Sequence, residues 1–208
     1  MTLQAFPPIS QTASVTLKST QPTRVSVSHS LKQQSRTTGA QRWALQLTLP
    51  PLTKAQFMPY FSFLLAHRGQ ADPFTITVPT LTEPLSQLGN NLIVFNPGEI
   101  YDPTLAFKGR SLVICSDPSI FEHRVKAGDL IKFAGHSKVY MVTADGINLN
   151  TNLTQITIEP ALLVPVVHGE AVSFSRVPFT VVNVSDNLSS SISAGPFYSL
   201  TLDLVEVF

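Results

Sequence analysis

A proline-bounded alternation in the stretch from Gln41 to Pro79 constrains the fold of this chain more than any other feature. Trp43, Leu45, Leu47 and Leu49 alternate with Ala44, Gln46 and Thr48, the period of two that marks a half-buried strand. Pro50 and Pro51 stop it, because proline has no N–H to give to a ladder. Thr53 is placed to cap a helix. Phe57, Tyr60, Phe61, Leu64, Leu65 and Arg68 then recur at the i, i+3, i+4, i+7, i+8 spacing of one helical face. Pro59 falls inside this stretch, where proline removes a backbone hydrogen bond, so the regular helix is predicted to begin near it. Gly69 closes the helix, and Phe74, Ile76 and Val78 alternate with Thr75 and Thr77 in a second strand. The predicted unit is β-α-β. Its core residues are Trp43, Phe57, Phe61, Leu64 and Phe74, with Leu65 on the helix and Leu45, Leu47 and Ile76 on the sheet.

The rest of the chain predicts a split domain with an insertion. Ser14 to Leu17 and Arg24 to Ser28 read as two strands around the turn Ser19-Thr-Gln-Pro22, and polar residues Leu31 to Ala40 as a loop. Thr80 to Lys108 carries Pro84, Gly89-Asn-Asn91, Asn96-Pro-Gly98 and Asp102-Pro103, turn signals with little strand between them. It is too long for an ordinary connection. From Gly109 onward, short apolar runs alternate with turns. They are Leu112 to Cys115, Leu130 to Phe133, Val139 to Thr143, Gln155 to Ile158 and Ala171 to Phe174, the spacing of a small barrel or sandwich. Lys126-Ala-Gly-Asp129 and His168-Gly-Glu170 read as two similar tight turns leading into strands. Phe179 to Val184 is a further strand, and Tyr198, Leu200, Leu202, Leu204 and Phe208 form one face of a closing strand. The predicted fold is therefore mainly β. Residues 1–82 and 175–208 form a β-rich outer domain with one helix packed on a sheet, 83–108 a long loop or linker, and 109–174 an inserted small β-barrel.

Composition limits the classes of function. At 208 residues the chain is one large domain or two small ones, able to bury a core without disulfide or metal staples. Charged residues make up 13%, against ~25% in ordinary globular proteins. Ser, Thr, Asn and Gln replace them, which fits either an assembly protein docking uncharged faces on copies of itself or simply a strand-rich chain. The net charge of +1, without a lysine or arginine cluster, gives no steering toward nucleic acid or acidic membrane. Cys115 is the one cysteine, inside an apolar run, so no internal disulfide forms and a packing role is expected. The first residues lack a basic-then-apolar signal, and no apolar run approaches the ~18 residues that span a bilayer. A product made in a cytoplasm and soluble there is expected, without membrane insertion.

Catalytic motifs are missing. There is no GxGxxG, GxxxxGK[ST], HExxH, CxxC or GxSxG. His29, His67, His123, His136 and His168 show no spacing suited to one metal and read as surface or turn residues. Cys115 sits in an apolar strand, not in the electropositive, open setting of a reactive thiolate. Glu83, Glu99, Asp102, Asp117, Glu122, Asp129 and Asp145 are scattered over loops, with no spacing that selects a glycosidase pair. No catalytic residue, metal ligand or cofactor site is assigned, and no enzyme is expected. Arg42 and Arg68 are the candidate interface residues. Trp43 is expected to pack on Phe57 and Phe61. Arg42 fits an interface anchor or the opposite strand face equally.

The run Gly39-Ala-Gln-Arg-Trp-Ala-Leu-Gln-Leu-Thr-Leu-Pro-Pro-Leu-Thr, with the helix that ends His67-Arg-Gly-Gln-Ala-Asp-Pro-Phe-Thr-Ile, resembles the core of distal tail proteins of tailed bacteriophages. Ala127-Gly-Asp-Leu-Ile-Lys-Phe, Lys138-Val-Tyr140, Ile156-Thr-Ile-Glu-Pro-Ala-Leu and Gly169-Glu-Ala-Val are similar, in the same order, to that family's inserted domain. The resemblance covers roughly Gln33 to Phe174; the Thr80 to Lys108 loop has no counterpart. It implies a structural virion protein at the tail tip or baseplate. Copies would form a ring, typically a hexamer, that joins the tail tube protein to a hub or fibre adaptor. Low charge agrees with repeated self-association, since like charges meeting across many identical interfaces are costly. The alternative is a carbohydrate-binding or host-recognition part of a viral tail, which requires a groove of stacked aromatics bracketed by Asp or Asn.

Overall fold

The structure is a computed structural model that describes residues 3–10, 13–85, 92–94, 112–116, 125–149, 153–188, 191–192 and 197–208. In chain order the elements begin with β1 Ser14–Thr20, β2 Thr23–Val27, β3 Gln33–Thr37, β4 Arg42–Thr48, β5 Leu52–Thr53 and α1 Lys54–Ala66. Next come β6 Phe74–Ile76, the single turn α2 Pro79–Thr82, β7 Leu92–Val94, β8 Leu112–Ser116, β9 Leu130–Phe133, β10 Tyr140–Asn148 and β11 Leu153–Glu159. The last are β12 Ala171–Ser173, β13 Phe179–Asn183, β14 Ser191–Ile192, β15 Phe197–Ser199 and β16 Thr201–Glu206. The chain falls into two compact units. One comprises Met1–Gln11, Pro73–Val181 and Val207–Phe208; the other comprises Thr12–Asp72 and Val182–Glu206.

The second unit is organised on β4. Its alternation puts Trp43, Leu45 and Leu47 on a buried face, with Arg42 and Thr48 exposed. β1 and β16 flank β4, both antiparallel, with Leu45 opposite Leu17 on one side and Leu204 on the other. Helix α1 follows at once. Thr53 and Gln56 form a capping box, with Gln56 Oε1 accepting the Thr53 N–H at 3.1 Å. Pro59 is accommodated inside α1, whose regular helix starts at Lys54, five residues earlier than expected. The helix packs on a small sheet in the order β14–β15–β5, and the Phe57 ring stacks on Tyr198 at 4.9 Å.

Three sequence expectations change in this unit. β1 does not pair with β2 around Ser19–Pro22; it pairs with β4, and β2 pairs instead with β3. The residues of β3, Gln-Gln-Ser-Arg-Thr, are all exposed, so they carry no alternation by which a strand is recognised. Phe57 and Leu64 are buried and Phe61 half-buried, but Leu65 is 66% exposed, because the buried stripe of α1 is narrower than its apolar sequence.

The first unit holds a closed barrel in the order β10-β11-β8-β7-β12-β9, with β9 pairing back to β10. Closure leaves no open strand edge. Its interior is a single apolar cluster that includes Val113, Cys115, Phe133, Tyr140, Ile156, Val172 and Phe174. β7 lies within the stretch read from its turn signals as loop. It pairs with β8 and β12, so the barrel draws on residues upstream of Gly109. Lys108 and the other residues from Phe95 to Ser111 lie outside the described residues. In the same unit β6 pairs with β13, Phe74 opposite Val181, and the Phe74 ring stacks on Phe6 at 5.8 Å.

These placements give a graded expectation for truncations along α1. Leu64→Ala should cost ~2–5 kcal/mol and Phe57→Ala ~3–5 kcal/mol, as buried large-to-small changes do. Leu65→Ala should stay within about 0.5 kcal/mol, as surface changes do. Denaturant midpoints of the three variants check the order.

Candidate functional site

A ligand site needs concave surface. In the barrel-containing unit an open cleft of about 470 Å³ is lined by Phe6, Pro7, Pro8, Ile9, Thr75, Thr77, Glu83 and Arg176, among others. It offers one carboxylate and one guanidinium, not the two convergent carboxylates of acid–base glycoside chemistry. Its aromatic ring, Phe6, is buried against Phe74 and presents no stacking platform. Among the described residues, no group of three His, Cys, Asp or Glu side chains could hold a metal, and no helix is long and apolar enough to cross a membrane.

Two histidines read as surface or turn residues are in fact buried. His67 caps the C-terminus of α1, stacks on Phe63 at 4.1 Å, and gives its Nδ1–H to the Phe63 carbonyl at 2.8 Å. His136 lies with Nε2 3.3 Å from the Pro165 carbonyl, which can only accept, and Nδ1 3.0 Å from the Tyr140 hydroxyl. The proton therefore sits on Nε2, Tyr140 donates to Nδ1, and the Tyr140 oxygen accepts the Leu163 N–H at 3.4 Å. Both rings are satisfied structural groups. His29 and His168 are exposed, and His123, Glu99, Asp102, Asp117 and Glu122 lie outside the described residues. Cys115 is fully buried, and burial pushes its thiol from 9.0 up to about 12, so no thiolate forms at neutral pH.

The two tight turns anticipated from the sequence share one hydrogen-bonding device. In Lys126–Asp129 the Asp129 N–H returns to the Lys126 carbonyl, and in Val167–Glu170 the Glu170 N–H returns to that of Val167. Each has glycine third, Gly128 with φ 99° and Gly169 with φ 81°, the positive value a type II turn needs there. In each the fourth residue's carboxylate accepts the first residue's N–H, at 3.0 Å for Asp129 and 3.1 Å for Glu170. The second carboxylate oxygen reaches a distant strand connection, Leu85 N at 2.7 Å and Gly135 N at 2.7 Å. These acids are barrel clamps, not reagents.

Surface groups remain. Arg42 is exposed but its Nε–H donates to the Glu206 carbonyl at 2.8 Å, while the Glu206 carboxylate, 0% exposed, accepts the Trp43 N–H at 3.3 Å. Glu206 escaped notice in the sequence. It stands in step with Leu200, Leu202 and Leu204, an acid at a core position, and that phase was its signal. Arg68 is exposed in the turn after α1, and its side chain has no partner among the described residues. Arg42 and Arg68 stand on different elements, at the start of β4 and after the end of α1. The β2–β3 hairpin is open to solvent, every residue of both strands being exposed, with Val25 54%, Val27 58% and Leu31 84% accessible.

The barrel decides the relationship. Residues 104–177, which hold five of its six strands, match the family model described as "Distal tail protein pb9, B domain". This chain resembles the phage distal tail proteins. The match supports a structural role in a phage tail, in assembly with other tail proteins. No curated protein matches the chain.

Two measurements test these assignments. Cys115 should be inert to an aromatic disulfide reagent at neutral pH in the native protein and react fully once denaturant opens the barrel. Glu170→Ala should cost about 0.5–1.5 kcal/mol, because it removes the acceptor of the Gly135 and Val167 N–H groups, which are exposed and can turn to water instead.

Proposed function

We propose that this chain is a distal tail subunit, copies of which close into a ring, a hexamer, between the tail tube and the hub or fibre adaptors. It works as a connector, without catalysis. The observation that carries the reading is the family match over the barrel. The exposed hairpin supports it, since an isolated two-stranded hairpin is marginal in water and gains stability by docking on another surface. A heterologous contact whose rotation closes gives a ring.

In this reading the barrel is an insertion that projects from the ring to meet adaptors. The Arg176 N–H donates to the Thr82 carbonyl at 3.0 Å, so the chain leaves and returns at one place. β7 pairs within the barrel, so in this reading the insertion takes in β7 and runs from just after Thr82 to Ser175.

Reconstruction of the native particle tests the role. A closed ring of this chain at the tail end is expected; a single isolated copy, or a filament of this chain alone, overturns it. Replacing residues 83–175 by a short linker should leave the remainder folded with a cooperative thermal transition, since loop-closure entropy rises slowly with length. A molten remainder would show that the barrel is not an insertion.

A further inference from the structure

Charge is unevenly divided along this chain. Residues 1–71 hold seven lysines and arginines and no aspartate or glutamate; the other seven cations and all thirteen carboxylates follow. Lys18, Arg24, Lys32 and Arg36 of that acid-free segment lie on β1, on the β2–β3 hairpin and at its tip. In the hairpin ladder Arg24 stands directly opposite Arg36, and Ser26 opposite Gln34, so these four share one face. Like charges directly opposite each other destabilise a strand pair. Among the described residues neither guanidinium has an ion-pair partner to relieve it.

Cations of the barrel-containing unit are engaged differently. Lys126 pairs with Asp145 at 2.8 Å, Lys132 donates to the Pro178 carbonyl at 2.9 Å, and Lys138 is buried over the Phe208 ring at 4.7 Å. At the hairpin, two shallow grooves meet on the arginine pair. One is lined by Arg24, Arg36, Thr37 and Thr38; the other runs along Ser26 and Gln34.

We propose that the Arg24–Arg36 face receives a carboxylate of a second copy of this chain, as the polar contact of the head-to-tail interface; the inference rests on the ring reading above. Two guanidiniums on neighbouring strands present forked donors that match an oxyanion, and the arriving charge relieves their repulsion. A heterologous interface joins two different patches of one sequence. Here one patch lies in the acid-free segment, while the remainder of the chain carries exposed carboxylates such as Glu83 and Asp203 that lack ion-pair partners among the described residues. Nucleic acid fits less well, because no Phe, Tyr or Trp lies between Ser14 and Ala40 to stack a base.

The test is sedimentation of the full chain over a concentration series at low and high salt, comparing wild type, Arg24→Glu/Arg36→Glu and Arg24→Lys/Arg36→Lys. Wild type should self-associate, more weakly as salt rises. The glutamate pair should weaken association by about tenfold or more, and the lysine pair, which keeps the charge but loses the fork, should fall between. Thermal midpoints should not move, since both positions are exposed. Wild type that stays monomeric throughout, or a glutamate pair that associates like wild type, overturns the proposal. So does Arg-dependent capture of duplex DNA without an effect on self-association. A native ring that still assembles from the glutamate variant overturns only this contact. A particle with no ring overturns the reading beneath it.

Discussion

The ladder of β4 is the constraint on which the second unit depends. This strand takes hydrogen bonds from β1 on one side and β16 on the other, so it joins segments near residues 14–20 and 201–206 that are far apart in the chain. Its inner face carries Trp43, Leu45 and Leu47, and its end leads through β5 directly into the capped start of α1. Glu206 fixes the register at the far end by holding both the Trp43 N–H and, through its backbone, Arg42. A buried carboxylate is tolerated there because it has donors. Pairings between remote segments form late and slowly. The helix by contrast is local, capped and contiguous.

How much of this was legible in the sequence follows from what each residue pattern can report. Alternation revealed β4, β6 and β16, because each has one buried face and one that is only half-buried or exposed. It revealed most barrel strands through short apolar runs between turns, and the glycine–acid pairs of two turns through their likeness. β3 was invisible, since a strand exposed on both faces has no hydrophobic phase. The partners of β1 and β2 were misread because nearness in sequence favoured a hairpin, where the apolar faces of β1 and β4 chose each other. Burial of His67 and His136 depends on which carbonyls and rings surround them, information that no local pattern holds. The candidate interface residues were only a matter of residue type, and the opposition of Arg24 and Arg36 needed a register before it could be seen.

Several reactive side-chain types of the described residues hold shape. Carboxylates that might have been reagents, Asp129 and Glu170, clamp turns to distant loops, and Cys115 is sealed in the barrel. Beside them stand a barrel similar to a distal tail domain and a hairpin that no part of the described chain covers.

Most strands have their register set by a buried face, because a slip of one residue would turn apolar side chains outward. β2 and β3 bury nothing, so only their ends define the alignment, through Ser28 N–H to Lys32 O at 3.0 Å at the tip and Thr38 N–H to Pro22 O at 3.3 Å at the base. A shifted pairing there would turn no apolar side chain out of a core, and it would change which side chains face one another, Arg24 and Arg36 among them. A neighbour docked on one arrangement would give it the buried face that it lacks. The hairpin would then be an element whose final alignment is written by its partner, with frozen slippage as part of the entropy of assembly.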